Sequence, residues 1–131
     1  SGLIRVPIPK RGSVSATRIE YRSPDPACNP YLAFSVILAA GMKGIREGYE
    51  LEPEADANLF EMDDAALDKL GIRQLPQSLN DALKVMETSE LVQEALDEHI
   101  FEWFLRNKRH EWREYKTQVT PFELNRYLKS L

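Results

Sequence analysis

Arg18-Ile19-Glu20-Tyr21-Arg22-Ser23-Pro24-Asp25-Pro26-Ala27-Cys28-Asn29-Pro30-Tyr31-Leu32-Ala33 is the stretch from which the rest of the chain can be read. Its first five residues alternate charged and apolar, the period of a strand, whose successive side chains point to opposite faces. Arg18, Glu20 and Arg22 then share one row, with Ile19 and Tyr21 on the other side. Guanidiniums around a carboxylate make a compact polar site. The carboxylate can hold a hard cation, and the planar forks can hold phosphate or carboxylate oxygens. The same row also reads as an ion-pair ladder on a wet face, a common and weak arrangement. Asn29-Pro30 then opens a helix: asparagine caps free amides and proline takes the first position, where no donor is needed.

Working outward, Leu3 to Ile8 reads as a strand that Pro7 and Pro9 confine to an edge or end. Lys10-Arg11-Gly12-Ser13 is a turn, and Thr17 to Arg22 returns as the second strand of an antiparallel hairpin. Ile4 and Val6 flank Arg5, so Arg5 can face the same way as Arg18, Glu20 and Arg22, although register is not fixed by sequence. A lone hairpin is marginal, and the next element is available to cover it. That helix runs to about Glu47, with Gly48 to close it. Tyr31, Leu32, Phe34, Val36, Ile37 and Leu38 make it apolar nearly all round, the pattern of a core helix.

Tyr49 to Ala57 reads as an acidic linker containing Pro53. Asp63 or Asp64 caps a short helix that Gly71 ends, and Ser78 caps a helix from Leu79 to about Thr88. Ser89 opens a turn through Leu96, and Glu98 to Tyr115 forms a longer helix with Phe101, Phe104 and Leu105 inward. Thr120-Pro121-Phe122-Glu123 is a further start signal, for a last helix carrying Leu124, Tyr127 and Leu128. The expected fold is α+β and mainly α-helical. An N-terminal β-hairpin over 3–22 packs on a helical part over 29–131, all within one domain.

The chain has 131 residues, 43% hydrophobic and 29% charged, which suits one folded domain rather than a disordered segment. A net charge of −4 gives no general attraction to nucleic acid or to acidic membranes. The longest nearly apolar run, Tyr31 to Met42, is too short to span a bilayer, and no secretory signal is visible. A lone cysteine, Cys28, excludes an intrachain disulfide and favours a reducing compartment; it reads as a small buried residue. The start at Ser1 without methionine reads as a processed or truncated chain.

The opening stretch also resembles the glutamine synthetase family, whose pattern is roughly R-[IV]-E-x-R-x-x-D-x-x-x-N-P-Y-L. Ser1-Gly2-Leu3-Ile4-Arg5-Val6-Pro7 is similar to the end of that family's N-R-S-x-x-I-R-[IV]-P segment. Leu38-Ala39-Ala40-Gly41-Met42-Lys43-Gly44-Ile45 is similar to its L-x-A-G-L-x-G-I helix. Glu98-His99-Ile100-Phe101 and Glu111-Trp112 through Val119 extend the likeness over essentially the whole chain. It is a likeness to the carboxy-terminal part of the catalytic domain of a type I, bacterial or archaeal, enzyme.

The resemblance implies a cytoplasmic ATP-dependent ligase that phosphorylates the glutamate side chain and lets ammonia displace phosphate from the γ-glutamyl phosphate. It implies Mg2+ or Mn2+ as cofactor and ATP as co-substrate. It also implies assembly of the full-length parent as a dodecamer of two six-membered rings. By the same resemblance, Glu20 is a metal ligand, Arg5 and Arg18 contact ATP phosphates, and Arg22 contacts substrate glutamate. The hairpin is then a remnant of a larger sheet. The family's other site residues precede Ser1 or belong to a neighbouring subunit, and one carboxylate cannot hold a catalytic metal alone. The chain by itself is therefore expected to be inactive. A related ligase using a polyamine or another amine, and a non-catalytic helical interaction module, are the alternatives.

Departures from the family pattern also carry meaning. Some members place a lysine where Ser15 stands, although Lys10 and Arg11 lie nearby. Some are controlled by adenylylation of a tyrosine where Asn58-Leu59-Phe60 has phenylalanine, so that control is not expected here. His99 and His110 are not spaced as ligands on one helical face and read as surface or second-layer residues rather than zinc ligands. Arg106, Lys108, Arg109, His110 and Arg113 alternate with Glu102, Glu111 and Glu114, a solvated face rather than a nucleic-acid patch. The acidic Glu50 to Asp64 segment is a possible partner for that face. Thr120 to Leu131 either packs on its own domain or, as the resemblance implies, docks into a subunit of the opposing ring.

Overall fold

The computed structural model describes residues 3–7, 18–51 and 58–130. In chain order they form β1 (Ile4–Arg5), β2 (Glu20–Tyr21), α1 (Pro30–Glu47), α2 (Asp64–Lys69), α3 (Leu79–Glu87), α4 (Glu90–Tyr115) and α5 (Pro121–Tyr127). Short 3-10 turns lie at Leu59–Glu61 and Leu128–Ser130.

The strands pair antiparallel, Ile4 opposite Tyr21 and Arg5 opposite Glu20. The Arg22 amide adds a bond to the Leu3 carbonyl at 2.8 Å. The ladder is shorter than the alternation suggests. Proline has no N–H to donate, so Pro7 cannot extend it as a donor. The expected turn at Lys10 to Ser13, with Ile8, Ser15 and Thr17, lies outside the described residues.

Each helix begins where a short polar side chain can accept from a free amide. Asn29 accepts from the Tyr31 and Leu32 amides ahead of Pro30. Asp63, Ser78 and Ser89 do the same for α2, α3 and α4. Thr120 and Glu123 form a reciprocal capping box on α5. α1 closes on Gly48, whose φ of 66° is a left-handed conformation that glycine adopts without a Cβ penalty. α4 is broken at Asp97, where φ 62° and ψ 156° leave the helical region, so its two stretches divide between Leu96 and Glu98 as the sequence suggests.

The core forms where α1 and α3 lean on α4. Leu83, Leu96, Phe101 and Leu105 are buried, with Leu32, Val36, Leu79, Met86 and Val92 packed around them. Leu67 is buried separately, on α2. Several expectations are corrected here. α1 is not a core helix: none of its residues is buried, and Tyr31 and Phe34 are 81% and 69% exposed. Its Leu32 and Val36 side meets the core. The described residues place no comparable neighbour against the opposite side. α1 packs on α4 instead of covering the hairpin, whose close packing among the described elements is between its own strands. Cys28 is exposed, because it lies in a turn that Asp25 organises through the Ala27 and Cys28 amides. α5 is exposed along its whole length, and its close packing among the described elements is with the 3-10 turn that follows it.

Candidate functional site

Register assembles the site. Pairing Arg5 with Glu20 brings a residue of β1 onto the face that β2 and its flanks build from Arg18, Glu20 and Arg22. Arg5 Nη1 donates to Glu20 Oε2 at 3.0 Å, and Arg22 Nη2 reaches the same oxygen at 3.4 Å. Arg18 Nη2 lies 3.9 Å from the other oxygen, Oε1. All four residues singled out in the sequence therefore converge. The Glu20 side chain is 32% exposed and the arginines more so, which leaves the cluster open to solvent.

Two guanidiniums on one carboxylate oxygen leave surplus positive charge, and their planar forks suit phosphate or carboxylate oxygens. A divalent cation is a different matter. Glu20 is a single carboxylate with both oxygens facing guanidiniums, and no group of three or more His, Cys, Asp or Glu among the described residues is placed to hold a metal ion. The described residues by themselves do not fit a metal centre.

The other charged features resolve as surface chemistry. The Arg109 fork donates twice to Glu87 Oε1, at 3.0 and 2.6 Å, and Lys108 pairs with Glu111 at 2.6 Å. The Arg109 and Lys108 partners thus lie on α3 and α4 rather than in the acidic segment, whose residues 52–57 lie outside the described residues. His110 approaches Glu114 at 3.4 Å, and His99 packs at a tilt on Trp103 with ring centroids 6.2 Å apart. Phe60 sits exposed in a 3-10 turn and offers no hydroxyl. An open groove of about 710 Å³ runs between α1, α3 and α4, lined in part by Leu32, Val36, Met86 and Phe104. The sequence reading placed a division between Leu96 and Glu98 but did not single out that groove, which depends on how α4 is placed against its neighbours.

Two carboxyls outside the cluster titrate below the ordinary range. The Ser78 hydroxyl, and then Lys84, hold Asp81 down. The Thr120 backbone amide, and then its hydroxyl, hold Glu123 down. Both belong to helix starts rather than to the site.

Residues 1–127 match the family described as "Glutamine synthetase, catalytic domain". Glutamine synthetase of Mycolicibacterium smegmatis is 53% identical over 98% of this chain and 29% of its own length. Those of Methanosarcina mazei and Thermotoga maritima are 47% and 45% identical over 100% and 98% of this chain, 29% and 28% of their own lengths. A solved chain described as "Apo GmaS without ligand" aligns with a TM-score of 0.69 at 34% identity, covering 84% of this chain and 25% of its own. The chain thus spans under a third of the relatives it matches. With nearly its whole length inside one family match, and a hairpin and helices in the arrangement that match implies, the chain belongs to the glutamine synthetase catalytic-domain family.

Proposed function

We propose that this chain is the carboxy-terminal part of an ATP-dependent glutamate–ammonia ligase, which makes glutamine through a γ-glutamyl phosphate in nitrogen assimilation. The observation that carries the reading is the convergence of Arg5, Arg18 and Arg22 on Glu20 across a two-strand register. Transfer of a phosphoryl group to a carboxylate concentrates negative charge on equatorial oxygens, and fixed guanidiniums neutralise it without reorganising. Arg5 and Arg18 are the proposed ATP-phosphate contacts, and Arg22 the proposed contact to the glutamate substrate. The proposed place of Glu20 is as one ligand of a Mg2+ or Mn2+ whose other ligands lie outside the described residues.

The parent is proposed to work in the cytoplasm as a dodecamer of two rings, with Thr120 to Leu131 reaching a subunit of the opposing ring. No helix among the described residues is long and apolar enough to cross a membrane. Phe122, Leu124, Tyr127 and Leu128 are exposed on this segment, which suits a docking role. Removing 120–131 from the full-length parent should leave subunits folded and weaken ring pairing. An unchanged dodecamer on sizing with light scattering rules that contact out.

The test of activity is product formation by the full-length parent with ATP and glutamate, comparing ammonium with polyamines, beside Glu20→Ala. Glutamine formed from ammonium and lost in Glu20→Ala supports the reading. Turnover with another amine alone moves the protein to a sister ligase, and turnover with none supports a non-catalytic module. The 131-residue chain alone should show no turnover.

A further inference from the structure

We infer that the cleft where the last turns of α4 meet α3 is a binding site for a compact phosphate dianion, held between Arg113 and Lys116. The cleft encloses about 300 Å³ and is lined in part by Asn80, Glu87, Arg109, Trp112, Arg113 and Lys116. Arg109, Arg113 and Lys116 follow one another at intervals of four and three residues, which sets them in one row along the end of α4. Three cations thus share the cleft with one carboxylate among its described lining residues, Glu87. That carboxylate is already engaged: Glu87 Oε1 accepts from Nε and Nη2 of Arg109, at 3.0 and 2.6 Å. The neighbouring acids of α4 are engaged as well, Glu111 with Lys108 at 2.6 Å and Glu114 at 3.4 Å from His110. Among the described residues, neither Arg113 nor Lys116 has a side-chain partner.

Cations near a helix C-terminus often serve its free carbonyls and the negative end of its dipole. At this end other donors already do so. The Lys116, Thr117 and Gln118 amides donate to the Trp112, Glu114 and Tyr115 carbonyls at 3.1, 3.2 and 3.1 Å. The Thr117 hydroxyl and the Gln118 side-chain amide add bonds to the Glu114 carbonyl at 2.8 and 3.3 Å. Arg113 and Lys116 are therefore left side by side with only repulsion between them, and an oxyanion shared by both removes it. The planar fork of arginine takes two phosphate oxygens, lysine takes a third as a point charge, and Asn80 brings a neutral amide from α3. The cleft lies at the small end of the range for small-molecule sites, with room for an organic group on the remaining oxygen. Trp112, stacked on Tyr115 with ring centroids 5.6 Å apart, supplies a fixed apolar wall for that group. The cleft shares no residue with the hairpin row, so it stands or falls apart from the ligase reading.

The test is calorimetry of the 131-residue chain with orthophosphate and with phenyl phosphate, read beside the tryptophan indole N–H by NMR. A Trp103→Phe background leaves Trp112 as the one indole. Phosphate should bind and shift that resonance. Arg113→Gln should weaken binding about tenfold and Lys116→Gln about threefold, the scale of a two-oxygen and a one-oxygen contact open to water. Both side chains are exposed, and circular dichroism checks that each variant keeps its helices. Tighter binding of phenyl phosphate than of orthophosphate identifies a phosphate monoester as the ligand, and equal or weaker binding identifies free phosphate. Arg18→Gln, on the hairpin, should leave the Trp112 response and its midpoint unchanged. A Trp112 indole that moves with neither anion, or an affinity that neither Arg113→Gln nor Lys116→Gln lowers, overturns the inference. Binding lost in Arg18→Gln and kept in Arg113→Gln overturns it too, by placing the phosphate on the hairpin. Failure of the ligase reading would instead appear as absence of turnover in the parent with the Trp112 response intact.

Discussion

Replacing Asp97 by glycine should stabilise the chain. Asp97 holds φ 62° and ψ 156° between the two helical stretches of α4, the sole non-glycine residue with positive φ among the described residues. That combination crowds a Cβ against the flanking backbone, is nearly exclusive to glycine, and costs other residues about 1–3 kcal/mol. Asp97 recovers part of that cost. Its Oδ1 accepts the Glu98 amide at 2.8 Å and so serves the start of the second stretch. Exchanging a capping aspartate for glycine loses only about 0.3 kcal/mol, and the freer unfolded chain costs a further ~0.4–1 kcal/mol. The balance is roughly 1 kcal/mol in favour of glycine, a rise in Tm of about 3–5 °C for a chain of this size. Asp97→Ala is the informative control, because it keeps the strained Cβ and loses the cap, for a loss of about 1 kcal/mol. Urea unfolding followed by circular dichroism, with thermal melts alongside, measures both. The reasoning fails if Asp97→Gly lowers the midpoint, or if alanine and glycine behave alike.

The remaining expectations are shorter. Leu83→Ala removes a side chain only 4% exposed at the junction of α3 and α4, and should cost about 2–5 kcal/mol by denaturant unfolding; a loss under about 1 kcal/mol would mean the core there is not closed. Acid should loosen the first turns of α3 and α5. Asp81 and Glu123 have folded-state pKa values below their unfolded ones, so the stability they add is present above about pH 4 and is lost as the pH falls through the folded values. Amide exchange at Asp81 and Glu123, whose N–H groups donate to the capping hydroxyls, should quicken below about pH 4 in wild type. Protection unchanged through that window would remove the argument.

What the sequence disclosed follows the range of the forces involved. Asn29-Pro30, Ser78, Ser89 and Thr120-Pro121-Phe122-Glu123 mark helix starts because capping joins a side chain to an amide two or three residues away. The charged face of β2 was legible for the same reason, since alternation is a property of consecutive residues. Arg5 joined that face only through a register set by pairing across fifteen positions, and no local pattern fixes it. Cys28 misled because burial is decided by distant neighbours; its exposure follows from the turn around Asp25. α1 misled in the opposite sense. Its apolar circumference is a statement about how many neighbours it can serve, and the described residues supply one side, through Leu32 and Val36. The division at Asp97 was legible, but its positive φ was not, because aspartate is ordinary between two helices.

The choice between an ion-pair ladder and a binding site for the hairpin row turns on stoichiometry. A ladder that exists to hold strands together gains most when charges alternate one to one, since like charges side by side repel and exposed pairs are each worth less than about 1 kcal/mol. Here Arg5 and Arg22 converge on the same oxygen of one carboxylate, so the second guanidinium adds repulsion from the first as well as attraction to Glu20. A hairpin whose ladder spans two residues on each strand among the described residues has little stability to give up to that arrangement. Strand pairing would be served as well by Arg5 and Glu20 alone, with a neutral residue at Arg22. Under the proposed function the surplus cation serves an oxyanion shared between the forks, which would turn the repulsion into binding. The same surplus explains why a lone Glu20 among these arginines does not make a cation site: the field that draws an anion in pushes a cation out until further carboxylates join it.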